Sequence, residues 1–239
     1  MNKVELGFFS FTEITDPGEH HSYNEWHMLD HMPEQYPLDG VAYGQRWVST
    51  PACRAARLVS ELLLDPVHYM TLYLMTEPVE RTLREFMQLG RDLYKVGRFH
   101  LHRRSQLSGP FPLLGETVAA RVLISAEAVP YRPNLGVYVE VEALPDGGHS
   151  GSDDPDLEAH RGALCSQPGV VGAWSFADER YRMTVSWLDV PPLEVAVRLE
   201  PIVEARRKAS PTRTVFAGPL EAITPWQWDW FDTPQVPAD

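Results

Sequence analysis

Alternation with period two dominates the chain. In 69–74, Met70, Leu72 and Leu74 fall on one side of an extended strand, and Tyr69, Thr71 and Tyr73 fall on the other. In 137–142, Val137, Val139 and Val141 alternate with Tyr138, Glu140 and Glu142. Stretches of helical period lie between such strands. The first half reads as strand 4–13, helix 22–35, strand 41–49, strand 68–76, helix 79–98 and strand 100–108. The second reads as strand 134–143, helix 154–166, strand 170–177, strand 181–189, helix 192–208 and strand 212–218. Both follow the order βαββαβ.

The repetition extends to sequence. HYMTLYLMTEPVERTLREF, from His68, aligns with YRMTVSWLDVPPLEVAVRL, from Tyr181, and brings Pro78 onto Pro191. Upstream, PLDGVAYGQRW matches QPGVVGAWSF, and downstream SGPFPLLGE matches AGPLEAITP. Three blocks in one order predict one unit written twice. The fold expected is α+β: two ferredoxin-like βαββαβ halves that pair their sheets into an α+β barrel. The halves are placed at 1–112 and 134–239, joined by a Pro- and Gly-bearing linker at 113–133 in which TVAARVLI reads as a further strand. The stretch PDGGHSGSDDPD, at 145–156, reads as a loop able to lie over a barrel mouth.

Each strand pair has one apolar and one mixed face. The apolar face is expected under the helices. The mixed faces are expected to oppose each other around a chamber lined by Tyr69, Tyr73, Tyr138, Glu140 and Arg182, with Phe9 and Phe11 from the first strand. An aromatic wall with a few polar groups is the usual makeup of a small-molecule site.

Charge narrows the partners. The 239 residues carry a formal net charge of −12, which disfavours nucleic acid. No apolar run is long enough for a membrane span, and the opening MNKVELGFFSFTEITD reads as a strand, not as a secretory signal. Cys53 and Cys165 lie far apart and form no CxxC pair, so a reducing cytoplasm is expected. The basic clusters Arg103–Arg104 and Arg206–Arg207–Lys208 read as solvated helix ends.

Candidate chemistry concentrates on the first helix. Ser22 and Glu25 fit a capping box with Ser22 as N-cap. His27 and His31 are four apart and share a face, with Asp30 and Glu34 beside them. A histidine next to a carboxylate suits general acid–base work near neutral pH, so His31 is the expected proton carrier, tuned by Asp30 or His27. The competing reading is a helix end making structural hydrogen bonds. HxxxHxxE, with His20 and His21 upstream, is not a specific metal signature, and no metal is expected. Neither a dinucleotide fingerprint, a P-loop nor a serine elbow is present, so no cofactor is expected. The tail ITPWQWDWFDTP places Trp226, Trp228 and Trp230 at alternate positions, as a packed arm, an oligomer contact or a lid.

SYNEWHMLDHMPEQYPLDGVAYGQRW resembles the EthD-like branch of the dimeric α+β barrel superfamily through Asn24, Trp26, His31, Pro33, Gly40 and Arg46. The motif covers the first half only. The second half, with DLEAHRGALCSQPGV, matches in architecture. Members of the superfamily include cofactor-independent monooxygenases, polyketide cyclases, lactone isomerases and haem enzymes. The resemblance implies a pocket and does not choose a reaction. The expectation is an enzyme acting on a hydrophobic, oxygenated small molecule, aromatic or polyketide-like, by cyclisation, isomerisation or cofactor-free oxygenation. One pocket with unequal contributions from the halves is expected, in a monomeric pseudo-dimer or a homodimer. The alternative is a non-catalytic binding protein or a haem carrier, with His68, His100 or His160 as the ligand.

Overall fold

The computed structural model describes residues 3–145 and 155–232. In chain order the elements begin with β1 (Val4–Ile14), α1 (His20–Trp26), a π-helical turn (His27–His31), α2 (Met32–Gln35) and β2 (Val41–Val48). Next come α3 (Pro51–Ala55), β3 (Val59–Ser60), β4 (Tyr69–Thr76), α4 (Val79–Lys95) and β5 (Arg103–Val118). The second part contains β6 (Gly136–Ala143), α5 (Pro155–Cys165), β7 (Val170–Ala177), β8 (Tyr181–Leu188), α6 (Pro192–Ala209) and β9 (Arg213–Ala222). This is a mixed α+β fold with one large antiparallel sheet. Among the described residues no helix is long and apolar enough to cross a membrane.

The strands hydrogen-bond in the order β2-β4-β1-β5-β7-β8-β6-β9, and β9 also pairs with β2, through Trp47–Ala222 and Val48–Glu221. The short β3 adds to β9. β5 is the long bridge between the two parts. Its first stretch pairs with β1, and Leu113–Val118 pair with β7. Residues 113–118, read as the start of a linker, therefore continue a strand. The segment 51–60, unassigned in the sequence, supplies α3 and β3. Most of the loop expected over the barrel mouth, residues 146–154, lies outside the described residues.

The expected facing of the sheet is reversed. Met70, Leu72 and Leu74 belong to one central core with Val137, Val139, Val141, Met183, Val185 and Trp187. Phe9 and Phe11 lie opposite Leu72 and Met70 in register and point the same way. Phe9 meets Phe176 edge-on at 5.1 Å, and Phe11 meets Phe216 at 6.3 Å, so the apolar faces of the two parts touch. The interior is packed side chain, with Phe9, Phe11 and Phe176 fully buried. A closed sheet of about eight strands has an interior that side chains can fill, and its driest position goes to the most apolar face. Tyr69, Thr71, Tyr73, Tyr138, Glu140 and Arg182 face outward beneath the helices, where Tyr69 meets His20 and Asn24 of α1 and Glu140 meets His160 of α5. Phe9 and Phe11 are core residues and line no chamber.

Candidate active site

Two cavities lie between the outer sheet face and the helices, and the candidate residues divide between them. One, of about 430 Å³, lies between β1, β4 and β5 on one side and the π-turn and α4 on the other. It is lined by His27, His31, Gln35, Thr71 and Tyr73, with an apolar wall that includes Phe8, Phe86 and Phe99. The other, of about 710 Å³, lies between α5 and α6 and is lined by His160, Arg182 and Arg206. Tyr138 borders neither, being buried among Leu164, Leu199 and Val203 under α5 and α6.

The helix carrying the histidines is not capped as its sequence suggests. Asp16 caps a 3-10 turn over Pro17–Glu19, and α1 begins at His20. Ser22 sits inside the helix, bonded to the Glu19 carboxylate and carbonyl and to His100 Nε2 at 3.0 Å. The helix then widens, so that the Met32 N–H donates to His27 O, five residues back. π-turns of this kind recur at functional sites. Here both His27 and His31 border the same cavity, with ring centroids 5.1 Å apart.

Both imidazoles are held neutral. Burial pushes His27 well below the ordinary histidine value, and Arg46, His31 and Arg103 act in the same direction. Burial and then Arg103 bring His31 down to about 4, against a smaller opposing effect of Asp30. Asp30 does not hydrogen-bond His31. It is tied to Arg98 on the outer surface, where Glu34 also meets Arg98 at 2.8 Å. This exterior pairing corrects the expectation that Asp30 is a catalytic partner, and it turns Glu34 away from the histidines. Among the described residues, no group of three or more His, Cys, Asp or Glu converges on one point.

Five buried polar atoms of this cavity are unmatched among the described residues. His27 Nδ1, His31 Nδ1, Gln35 Oε1, Thr71 Oγ1 and Tyr73 O–H are buried with no hydrogen-bond partner among the described residues. Native proteins leave few such atoms, and each one calls for an explanation. Arg91, Lys95 and Arg103 line the cavity, and among the described residues no carboxylate does, in a chain of net charge −12. Arg103, read from sequence as a solvated helix end, starts β5 and lies over the Phe99 and Trp26 rings at 4.7 and 5.4 Å. Sequence reasoning also missed Gln35 and Phe99. Their only signal is proximity to the His27–His31 helix and to β5.

Motif residues build the wall behind. Trp26 stacks on His31 at 4.7 Å and donates Nε1–H to Arg98 O at 3.0 Å. Arg46 Nη2 donates to Asn24 Oδ1 at 3.0 Å, and Asn24 Nδ2 donates to Tyr69 O–H at 2.9 Å. Tyr69 is thereby held by this network and does not line the cavity. Pro33 opens α2, and Gly40, at φ +84°, turns the chain into β2 where a Cβ would strike Thr82.

In the second cavity the polar groups satisfy one another. His160 Nε2 meets both Glu140 oxygens at 3.0 Å. Glu142 accepts from Arg182 Nε at 2.8 Å, Arg206 Nε at 3.1 Å and Thr212 Oγ1 at 2.6 Å. Arg206, like Arg103, is therefore no solvated helix end.

No protein-family model matches the chain, and no curated protein matches it in sequence. Solved structures share its fold. An anthrone oxidase-like protein superposes with a TM-score of 0.50 at 12% identity, over 92% of each chain. A proposed monooxygenase from Fusobacterium nucleatum subsp. nucleatum gives 0.51 at 7%, over 92% of this chain and 94% of that one. A proposed chlorite dismutase gives 0.56 at 10%, over 97% and 98%.

Proposed function

We propose that this protein is an enzyme that oxidises a hydrophobic hydroxyaromatic molecule without a cofactor, in the cavity beneath the π-turn. The observation that carries the reading is the pair of neutral imidazoles, each with an unpartnered Nδ1 among the described residues, in an aromatic cavity whose charged lining there is cationic. A neutral imidazole can take a proton from a phenol or an activated ring carbon, and an adjacent cation stabilises the anion left behind. His31 is assigned the proton, His27 a neighbouring supporting role, and Arg103 the anion. Such an electron-rich anion is a form of substrate that dioxygen can oxidise directly. Phe8, Phe86 and Phe99 supply the apolar wall and help exclude water. Cyclisation or isomerisation would use the same proton step. The names of the fold neighbours, an anthrone oxidase-like protein and a proposed monooxygenase, agree with the oxidative version. We read the two parts as a duplicated ferredoxin-like unit of the dimeric α+β barrel type.

Oxygen uptake with anthrone as substrate tests this reading. Turnover is expected for the wild type, with a fall of about 10²- to 10⁴-fold in His31→Ala. Unchanged turnover in folded His31→Ala would remove the residue from the mechanism, and no turnover at all would favour a binding protein.

Haem is the second reading, and it rests on His160. His68 and His100 line neither cavity, whereas His160 borders the larger one and is paired with a buried carboxylate. An imidazole–carboxylate pair is the arrangement that orients a metal ligand, so these residues fit the group. Haem would supply iron redox chemistry there, and a Soret band in the purified protein would replace the cofactor-free reading.

A further inference from the structure

The C-terminal segment after β9 returns to the first part and closes over α1. Ile223 N–H donates to Arg46 O at 3.3 Å, and Ile223, Trp230 and Phe231 pack on the cluster of Ile14, Tyr23, Val48 and Tyr69. Trp228 is buried, with its ring 5.3 Å from His21. Phe231 stacks on His20 at 3.9 Å and 16°, and meets His68 edge-on at 5.2 Å. We infer that this aromatic strap is a positioning device: Phe231 keeps His20 dry and neutral, and neutral His20 locks the Tyr69–Asn24–Arg46 array behind the candidate active site.

Hydrogen-bond bookkeeping fixes the direction of the chain. Asn24 Oδ1 is occupied by Arg46 Nη2, so its Nδ2 faces Tyr69 and the phenol oxygen accepts. The phenol proton is then available to His20 Nδ1, 2.9 Å away, when that nitrogen carries a lone pair. A protonated His20 has no lone pair to offer, so the phenol proton loses this acceptor and the chain is weakened at Tyr69. Arg46 lies over the Tyr23 ring at 5.0 Å and the Tyr69 ring at 5.4 Å, and Tyr23 meets His27 edge-on at 5.6 Å. Displacement of Tyr69 is thus transmitted to a histidine of the cavity.

Several groups face His20: Phe231, His68 and Tyr69 by contact, with the Asp232 carboxylate favouring protonation and Arg54 opposing it. Burial dominates and brings His20 down to about 4. Removing the covering ring admits water and restores protonation near the ordinary value of about 6.5. The sign follows directly. Wild-type His20 stays neutral through pH 5–7, and a variant without Phe231 gains a proton as pH falls through about 6.

The experiment is an NMR titration of histidine-labelled full-length protein, comparing wild type with Phe231→Ala, Phe231→Leu and Phe231→Trp. His20 is expected to titrate near 6 in Phe231→Ala, at an intermediate value in Phe231→Leu, and near the wild-type value in Phe231→Trp. His27 resonances should shift in step with His20 in Phe231→Ala. An unchanged His20 titration in the folded Phe231→Ala or Phe231→Leu protein overturns the inference, as does a His20 shift that leaves His27 unmoved. This readout needs no substrate, so it fails independently of the proposed oxidation on which its functional meaning rests. If anthrone turns over, Phe231→Ala should lose kcat below about pH 6 with KM little changed, and raising the pH should restore it.

Discussion

The two cavities both lie between the outer sheet face and the helices, and they treat their polar groups in opposite ways. Beneath the π-turn, five lining residues carry buried polar atoms without partners. Between α5 and α6, Glu142 alone is held by Arg182, Arg206 and Thr212, and Glu140 is held by His160. A saturated network spends its polarity on the fold, whereas an unsaturated one holds it in reserve for a ligand. Equivalent histidine substitutions should therefore have opposite signatures. His31→Ala is expected to cost about 10²- to 10⁴-fold in turnover with little loss of stability. His160→Ala should leave turnover per folded molecule intact and cost about 3–5 kcal/mol in denaturant unfolding, because Glu140 stays buried without its partner. A reversed pattern would move the active centre to the second cavity.

Acid sharpens the contrast. Burial raises the Glu142 carboxyl, but Arg182, Arg206 and Thr212 outweigh it and hold the group below the ordinary glutamate value. Its folded pKa is depressed, so its contribution is complete above about 4.5 and is lost as pH falls through the lower folded value. Urea unfolding followed from pH 6 to 3 should show this loss in wild type, and less of it in Glu142→Gln. The first cavity responds elsewhere. Its acid limb of turnover should lie near 4, the value to which His31 is brought down. In Arg103→Met the loss of a neighbouring cation should raise that limb, which pH–rate profiles would show. The smallest effect expected is at Gly40, whose φ of +84° disfavours any side chain. Gly40→Ala should cost about 1–2 kcal/mol of strain, more if Thr82 cannot yield, measured as a shift in the urea midpoint.

Much of the fold was legible because period-two alternation survives wherever one strand face is apolar. β4 and β6 are readable from Met70–Leu72–Leu74 and Val137–Val139–Val141 alone. Which side those faces take was not legible. Alternation distinguishes two faces, but it does not say whether the drier environment lies under a helix or inside a closed sheet. That single inversion moved Phe9 and Phe11 from a ligand wall to the core and divided one expected chamber into two cavities. The histidines of the site were legible by spacing and resemblance. Arg103 was not, since a basic pair at a strand start looks solvated until Trp26 and Phe99 are brought against it. Asp30 misled for the complementary reason: adjacency in sequence placed it beside His31, and the wider π-turn directs it outward to Arg98.

The strand that closes the sheet comes last in chain order among the described strands. β9 joins β6 on one edge and β2 and β3 on the other, so nothing else can complete the ring. On the ribosome, a chain that has reached the end of α6 has both β2 and β6 without that partner, two open edges some ninety residues apart in order of synthesis. Unpaired edges of this kind recruit other strands. The interval between synthesis of β2 and delivery of β9 is when this protein is most exposed to pairing with a neighbouring nascent chain.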